Sequence, residues 1–337
     1  VINVGVVGYG YWGPNLARNF NTARLSRLAA VGDLNVQKLQ LAKLAFPEIK
    51  TYSDMRELIN DPAIDVIAIS TPVSTHYPLA LAALESGKHV WLEKPMCETS
   101  DQAKRLIDIA HGKNLVLHVD HTYVYGGAVR KIRDLVTDGT LGNILYYDST
   151  RINLGLFQHD VNVIWDLAVH DFAILDFILN KHPVAISAHG VSHIPDSPEN
   201  LANISMFYEA GMVAHINVNW LAPVKIRSVL LGGDKKMIVY DDLHPTEKIK
   251  IYDRGVTISD NPDYIHKMRI GYRIGDMSSP DIDTTEALYT ETAHFLDCVQ
   301  NGGGTMTPGE AGLRVVRWLE AATHSMKHQG MQVRLAS

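Results

Sequence analysis

Cys97 and Cys298 are the only cysteines in a chain of 337 residues. Two thiols are too few for a disulfide framework or a cysteine-rich zinc site, and the expected compartment is reducing and cytoplasmic. No apolar run approaches the roughly 20 residues that span a bilayer, so no membrane partner is expected. The first residues read directly as a strand, which leaves no place for a signal peptide. Neither sign of charge dominates: 31 Lys and Arg against 37 Asp and Glu give a net −6, which argues against nucleic acid as a partner. The 16 histidines include no H-E-x-x-H, and no metal is expected. Internal repeats and flexible linkers are missing too. What remains is 46% hydrophobic and 20% charged, more apolar material than one core organises, so two domains are expected.

Val1 to Val7 is a β-rich run that passes at once into Gly8-Tyr9-Gly10-Tyr11-Trp12-Gly13, and Pro14 suits the first turn of a helix. In such a turn the first glycine bends the chain, the second lets the backbone approach a pyrophosphate, and the third permits close helix–strand packing. The free N–H groups and dipole of the helix hold the anion. A second strand from Leu28 ends at Asp33, 20 residues after Gly13, where a carboxylate reaches ribose hydroxyls. Leu34, Asn35 and Val36 offer no arginine to a 2′-phosphate, so NAD is expected ahead of NADP, with Lys38 the one residue favouring NADP. Strand–helix alternation continues through a strand at 65–70, a helix from about His76 to Ser86, a strand at 88–92, a helix from about Ser100 to Gly112 and a strand at 115–119. It predicts a doubly wound parallel sheet. Ser70, Thr71, Pro72 and His76 follow a strand and should border the cofactor, although His76 reads equally well as an ordinary first-turn residue. Glu93-Lys94-Pro95 puts a lysine at a strand's C-terminal end, where ligands of open parallel sheets bind; a plain strand-end ion pair is the competing reading.

After Asp120 the alternation stops. A helix from about Gly127 to Thr137 leads to a strand from Ile144 to Asn153. Further β-rich runs at 204–208, 212–220, 226–231 and 237–240, joined by short turns, predict a largely antiparallel sheet. Two helices, about Thr285 to Gln300 and Pro308 to His328, close the chain. Between the strands, Trp165 to Leu179 reads as one helix that is apolar over most of its circumference. Asp166 and His170 share a face of it and suit general acid–base work, or else form a surface pair. Asp171 falls in the apolar arc, which the helical period does not explain.

The glycine-rich opening, the Glu-Lys-Pro at the end of the fifth strand and the Asp166/His170 spacing together resemble the glucose-fructose oxidoreductase, inositol dehydrogenase and MocA-like (Gfo/Idh/MocA) family of NAD(P)-dependent oxidoreductases. The resemblance spans nearly the whole chain. It implies an α/β protein: an N-terminal Rossmann domain over 1–120, and over 121–337 a substrate-binding and oligomerisation α+β domain with an open-faced mixed, largely antiparallel sheet, whose C-terminal helix packs back on the first. It implies Lys94, His170 and Asp166 as catalytic residues, with His170 the general base and Lys94 on both nicotinamide ribose and the reacting hydroxyl. Cofactor contacts would come from the turn Gly8–Gly13, Asp33, Leu34, Ser70, Thr71, Pro72, His76, Glu93 and His121. Arg151-Ile-Asn-Leu-Gly155, Trp165 to Asp171 and Tyr272 to Asp276 look like the branch acting on nucleotide-linked sugars, as in UDP-N-acetylglucosamine 3-dehydrogenases of lipopolysaccharide precursor synthesis. Arg151, Asn153, Trp165, Arg269, Tyr272 and Arg273 would then bind substrate, the arginines its diphosphate unless they line a solvated loop. A UDP-N-acetylglucosaminuronate 3-dehydrogenase, a ketosugar reductase, a free-sugar or inositol dehydrogenase and a catalytically silent NAD sensor are the alternatives. A homodimer or homotetramer is implied.

Overall fold

The computed structural model describes residues 1–155, 161–179, 181–253, 255–258, 270–273 and 275–335, with the backbone alone at 255–258 and 270–273. It divides into two compact units, Val1–Gly126 with Thr285–Glu320, and Gly127–Thr284 with Ala321–Ser337.

In the first unit, strands β1 (Ile2–Val7), β2 (Ser26–Gly32), β3 (Lys50–Tyr52), β4 (Val66–Ile69), β5 (His89–Glu93) and β6 (Leu117–Asp120) form a parallel sheet in the order β3-β2-β1-β4-β5-β6. That is the doubly wound arrangement, and its switch point lies between β1 and β4. Strand β4 and the middle of β5 are apolar, and β6 buries His118 and Asp120 beside Leu117 and Val119; the helices of this unit are α1 (Gly13–Thr22), α2 (Val36–Ala45), α3 (Met55–Asn60), α4 (Val73–Glu85), α5 (Ser100–Gly112) and the short α6 (Thr122–Tyr125). Local chemistry starts these helices. Asn35 accepts from the Gln37 N–H ahead of α2, and Thr99 accepts from the Gln102 N–H ahead of α5, whose Ala103, Leu106, Ile107 and Ala110 form its buried stripe. Helix α4 starts at Val73 rather than near His76. Pro72 stands at its cap and the Thr75 hydroxyl bonds back to the Pro72 carbonyl, so the loop after β4 is three residues long, Ser70 to Pro72.

Helices α7 (Gly127–Thr137) and α8 (Val169–Leu179) belong to the second unit, with a nine-stranded sheet of β7 (Ile144–Leu154), β8 (Ala185–Val191), β9 (Leu201–Phe207), β10 (Val213–Asn219), β11 (Leu221–Gly233), β12 (Met237–Asp241), β13 (Ile249–Tyr252), β16 (Met277–Ser278) and β17 (Val333–Arg334). Only β7 and β10 run parallel, and every other neighbouring pair is antiparallel. β14 (Gly255–Ile258) and β15 (Ile270–Arg273) make a separate antiparallel ribbon. Helix α9 (Ala287–Asn301) and most of α10 (Gly309–Lys327) are counted with the first unit. There Leu288, Phe295 and Leu296 join Val4, Leu16, Phe20 and Trp91 in one core, and Trp91 meets Phe20 and Phe295 edge to face, each at 5.3 Å. Such pairs add about 0.5–1.5 kcal/mol each to the burial they accompany.

Candidate active site

The glycine-rich turn is built where β1 stops. Gly8 adopts φ +92, and a Cβ there would lie 2.5 Å from the Ser70 carbonyl oxygen; one on Gly13 would lie 2.2 Å from the Gly8 carbonyl oxygen. Only glycine fits either place. The Ser70 hydroxyl donates to that same Gly8 carbonyl (2.9 Å), tying the loop after β4 to the turn. No side chain caps α1, and the positive end of its dipole lies at this turn, where a pyrophosphate would be held. Above Gly10 the nearest atom to a Cβ would be the Lys38 ammonium, at 3.7 Å. The Asp33 carboxylate accepts from the Tyr9 N–H (2.7 Å) and the Asn35 N–H (2.8 Å), which fixes its plane and leaves lone pairs for ribose hydroxyls. Tyr9 is buried in the core while Tyr11 and Leu34 are exposed. These residues fit a dinucleotide.

His76, the ambiguous residue of the sequence, is buried with Nδ1 on the Pro95 carbonyl (2.9 Å) and Nε2 on the Thr71 carbonyl (2.8 Å). Burial lowers its pKa against the opposing pull of those carbonyls. It clasps the loop after β4 to the loop that carries Lys94. Glu93 differs from the charged partner of Lys94 that the sequence suggests. It pairs in register with Asp120 across β5 and β6, and two carboxylates so placed cannot both ionise. Burial pushes the Glu93 carboxyl well up, the Asp120 charge and hydrogen bond add to it, and Lys94 only partly opposes them. Among the described residues the buried Oε1 of Glu93 has no hydrogen-bond partner.

The Asp120 carboxyl shifts the opposite way. Burial works against it, but hydrogen bonds from Glu93 and Thr122, the nearby His118, and the Trp12 indole outweigh that and hold its pKa low. Trp12 Nε1 donates to Oδ2 at 3.2 Å and Trp91 Nε1 to the same oxygen at 3.3 Å, while the Thr122 hydroxyl donates to Oδ1. Glu291 of α9 also belongs to this cluster, its pKa raised by burial first and by Asp120 and Glu93 next. It lies 3.0 Å from His118 Nε2, whose own pKa is brought down to about 3 by burial. Burial thus favours the uncharged form of each partner. Sequence reasoning missed Asp120, His118 and Glu291 as functional candidates; the available signal was Asp120 ending the strand next to Glu93. His121 is buried just beyond β6.

In the second unit the expected helix Trp165–Leu179 is two pieces: a π-helical turn, Ile164–Ala168, runs into α8. Asn162 opens it by accepting from the N–H groups of Ile164 (3.1 Å) and Trp165 (3.3 Å). Asp166 lies on the wide turn and its Oδ2 accepts from Trp220 Nε1 (3.0 Å); His170 follows, half-buried, on the first turn of α8. π-turns recur at functional sites. Trp220 is a further residue the sequence did not reveal, packed so close to Gly155 that a Cβ there would come within 2.6 Å of its ring. The Trp165 indole N–H is engaged by the Thr323 hydroxyl (2.9 Å).

Arg151 is buried on β7 with Nε donating to Asp171 (2.8 Å), and Asp171 also accepts from the hydroxyls of Tyr147 (3.0 Å) and Ser149. This explains the acid in the apolar arc: it neutralises an arginine on the strand beneath. Asn153 is half-buried farther along β7. Arg269 lies outside the described residues, and Tyr272 and Arg273, expected in an irregular loop, are in β15, where Arg273 pairs with Gly255. Among the described residues no cluster of His, Cys, Asp or Glu is arranged to hold a metal, and no helix is long and apolar enough to cross a membrane.

Two family models match the chain: the oxidoreductase family, NAD-binding Rossmann fold, over residues 2–121, and its C-terminal alpha/beta domain over residues 133–335. UDP-N-acetylglucosamine 3-dehydrogenase of Acidithiobacillus ferrooxidans is 27% identical over 94% of both chains. The scyllo-inositol 2-dehydrogenase (NAD(+)) of Bacillus subtilis is 25% identical over 99% of this chain and 95% of its own. Among solved structures, an Agrobacterium radiobacter oxidoreductase in complex with NAD+, L-tartaric acid and magnesium superposes with a TM-score of 0.83 at 18% identity, covering 99% of this chain and 98% of that one.

Proposed function

The chain belongs to the Gfo/Idh/MocA oxidoreductase family, with a NAD-binding Rossmann domain at its N-terminal end, and from that premise we propose that it oxidises the C3 hydroxyl of a UDP-linked N-acetylhexosamine, UDP-N-acetylglucosamine first, to the 3-keto sugar. Bound NAD supplies the hydride acceptor. His170 takes the hydroxyl proton, Asp166 orients the sugar, and the Lys94 ammonium holds the reacting oxygen and offsets the charge that develops on it. The observation that carries the reading is Lys94 itself, a cation at the C-terminal end of β5, on the loop that His76 clasps to the edge of the switch-point crevice. Full-length similarity to the Acidithiobacillus enzyme supports the sugar. Arg269, Tyr272 and Arg273 are assigned to the substrate diphosphate, and assembly through the open face of the nine-stranded sheet belongs to the same reading.

Similarity to scyllo-inositol 2-dehydrogenase over almost the whole chain favours a second reading, a free-cyclitol dehydrogenase. Following reduced-nicotinamide absorbance with UDP-N-acetylglucosamine, its uronate, inositol and glucose separates the two. The nucleotide sugar should give the highest kcat/KM, and a preference for inositol refutes that choice. His170→Ala should cut kcat by about 10² to 10⁴, and Lys94→Ala should lower kcat while NAD still binds.

A further inference from the structure

Asp120 is buried at the end of β6, where its carboxylate accepts from the Trp12 and Trp91 indoles and the Thr122 hydroxyl. Trp12 and Glu93, the register neighbour of Asp120, come from the segments assigned to the cofactor. Trp12 lies in the glycine-rich turn at the cap of α1, where its carbonyl accepts from the N–H groups of Asn15 (2.9 Å) and Leu16 (3.3 Å). Glu93 precedes Lys94. An indole donates only one hydrogen bond, so the Asp120 carboxylate fixes the Trp12 ring, and through it the cap residue at which the anion-binding N-terminus begins. The titratable groups around Asp120 are Glu93 from β5, His118 and His121 from β6 and its end, and Glu291 from α9. None of them replaces the carboxylate as acceptor for Trp12.

We infer that Asp120 is a positioning residue for the dinucleotide: one buried side chain that holds Trp12 of the glycine-rich turn and Glu93 of the lysine-bearing strand end in a single frame. The inference concerns NAD alone and is independent of the sugar. A hydrogen bond to a charged group contributes enough that its loss should appear as an about ten- to hundred-fold change in affinity. The test titrates full-length protein with NAD and follows fluorescence for the wild type, Trp12→Phe, Asp120→Asn and the double variant, with circular dichroism reporting the fold. Each single variant should raise the Kd for NAD by about tenfold or more, and the double variant should be no worse than the weaker single one, since both remove the same link. Unchanged Kd in folded single variants overturns the proposal. So do effects that multiply in the double variant, which would make the two residues independent. If Asp120→Asn does not fold, Trp12→Phe decides alone: a wild-type Kd refutes the proposal and a raised one supports it. A wild type that turns over none of the sugars refutes the substrate reading and leaves this measurement intact, whereas a wild type that fails to bind NAD overturns the inference itself.

Discussion

Glu93 and Asp120 stand side by side in the register of neighbouring strands, and their carboxyl pKa values are driven in opposite directions. Lys94 was legible as a candidate because its signal is local: an apolar strand, a charge at its end and a proline that stops it. The upward shift of the Glu93 carboxyl was not, because it depends on burial and on a carboxylate one strand away. Asp171 teaches the same lesson from the other side. The helical period marked it as misplaced, and only the strand beneath supplies Arg151, Tyr147 and Ser149. Removing its charge leaves that arginine buried without a counter-ion, so Asp171→Asn should destabilise the protein by about 3–5 kcal/mol in urea denaturation. A loss below about 1 kcal/mol would show the pair to be dispensable.

Elements with strong periodic or capping signals were read almost to the residue, as α5, α7 and β7 show. Short strands such as β3, β16 and β17 carry too few residues to show alternation, and they exist only because a neighbour pairs with them. The π-turn before α8 has no sequence mark at all. It widens the helix just where Asp166 lies, so a face assigned from 3.6 residues per turn does not carry across from Asp166 to His170. The glycine-rich turn is the opposite case, legible by spacing and explained by space. Gly13→Ala forces a methyl group against the Gly8 carbonyl, so the turn must open; NAD affinity should fall by at least about tenfold in a fluorescence titration, and undiminished binding would contradict the packing.

At the scale of the molecule, the buried acids set how stability follows pH. Glu291 has its pKa raised on folding, so the native state holds a proton that the unfolded chain releases. The stability tied to that proton is complete below the ordinary glutamate pKa and is lost as pH rises toward the folded value. His118, brought down to about 3, works in reverse: its contribution is complete above the ordinary histidine pKa and lost as pH falls toward 3. Glu291→Gln removes the first effect, so the Tm of the wild type relative to this variant should decline steadily from pH 5 to pH 9 in calorimetry. A constant difference would mean that Glu291 is charged in the folded protein. The sequence separated a nucleotide-binding half from a sheet-rich half. It did not show how much of the late chain the compact first unit counts as its own, because the return of α9 is a long-range packing event with no local signature.

That return has a consequence for how the protein is made. Domains ordinarily fold in order as the ribosome extends the chain. Here the six-stranded sheet can be synthesised in full while the face bearing Phe20, Trp91 and His118 still lacks Phe295, Leu296 and Glu291. Until α9 arrives, a nascent chain leaves that aromatic surface without the side chains that pack on it.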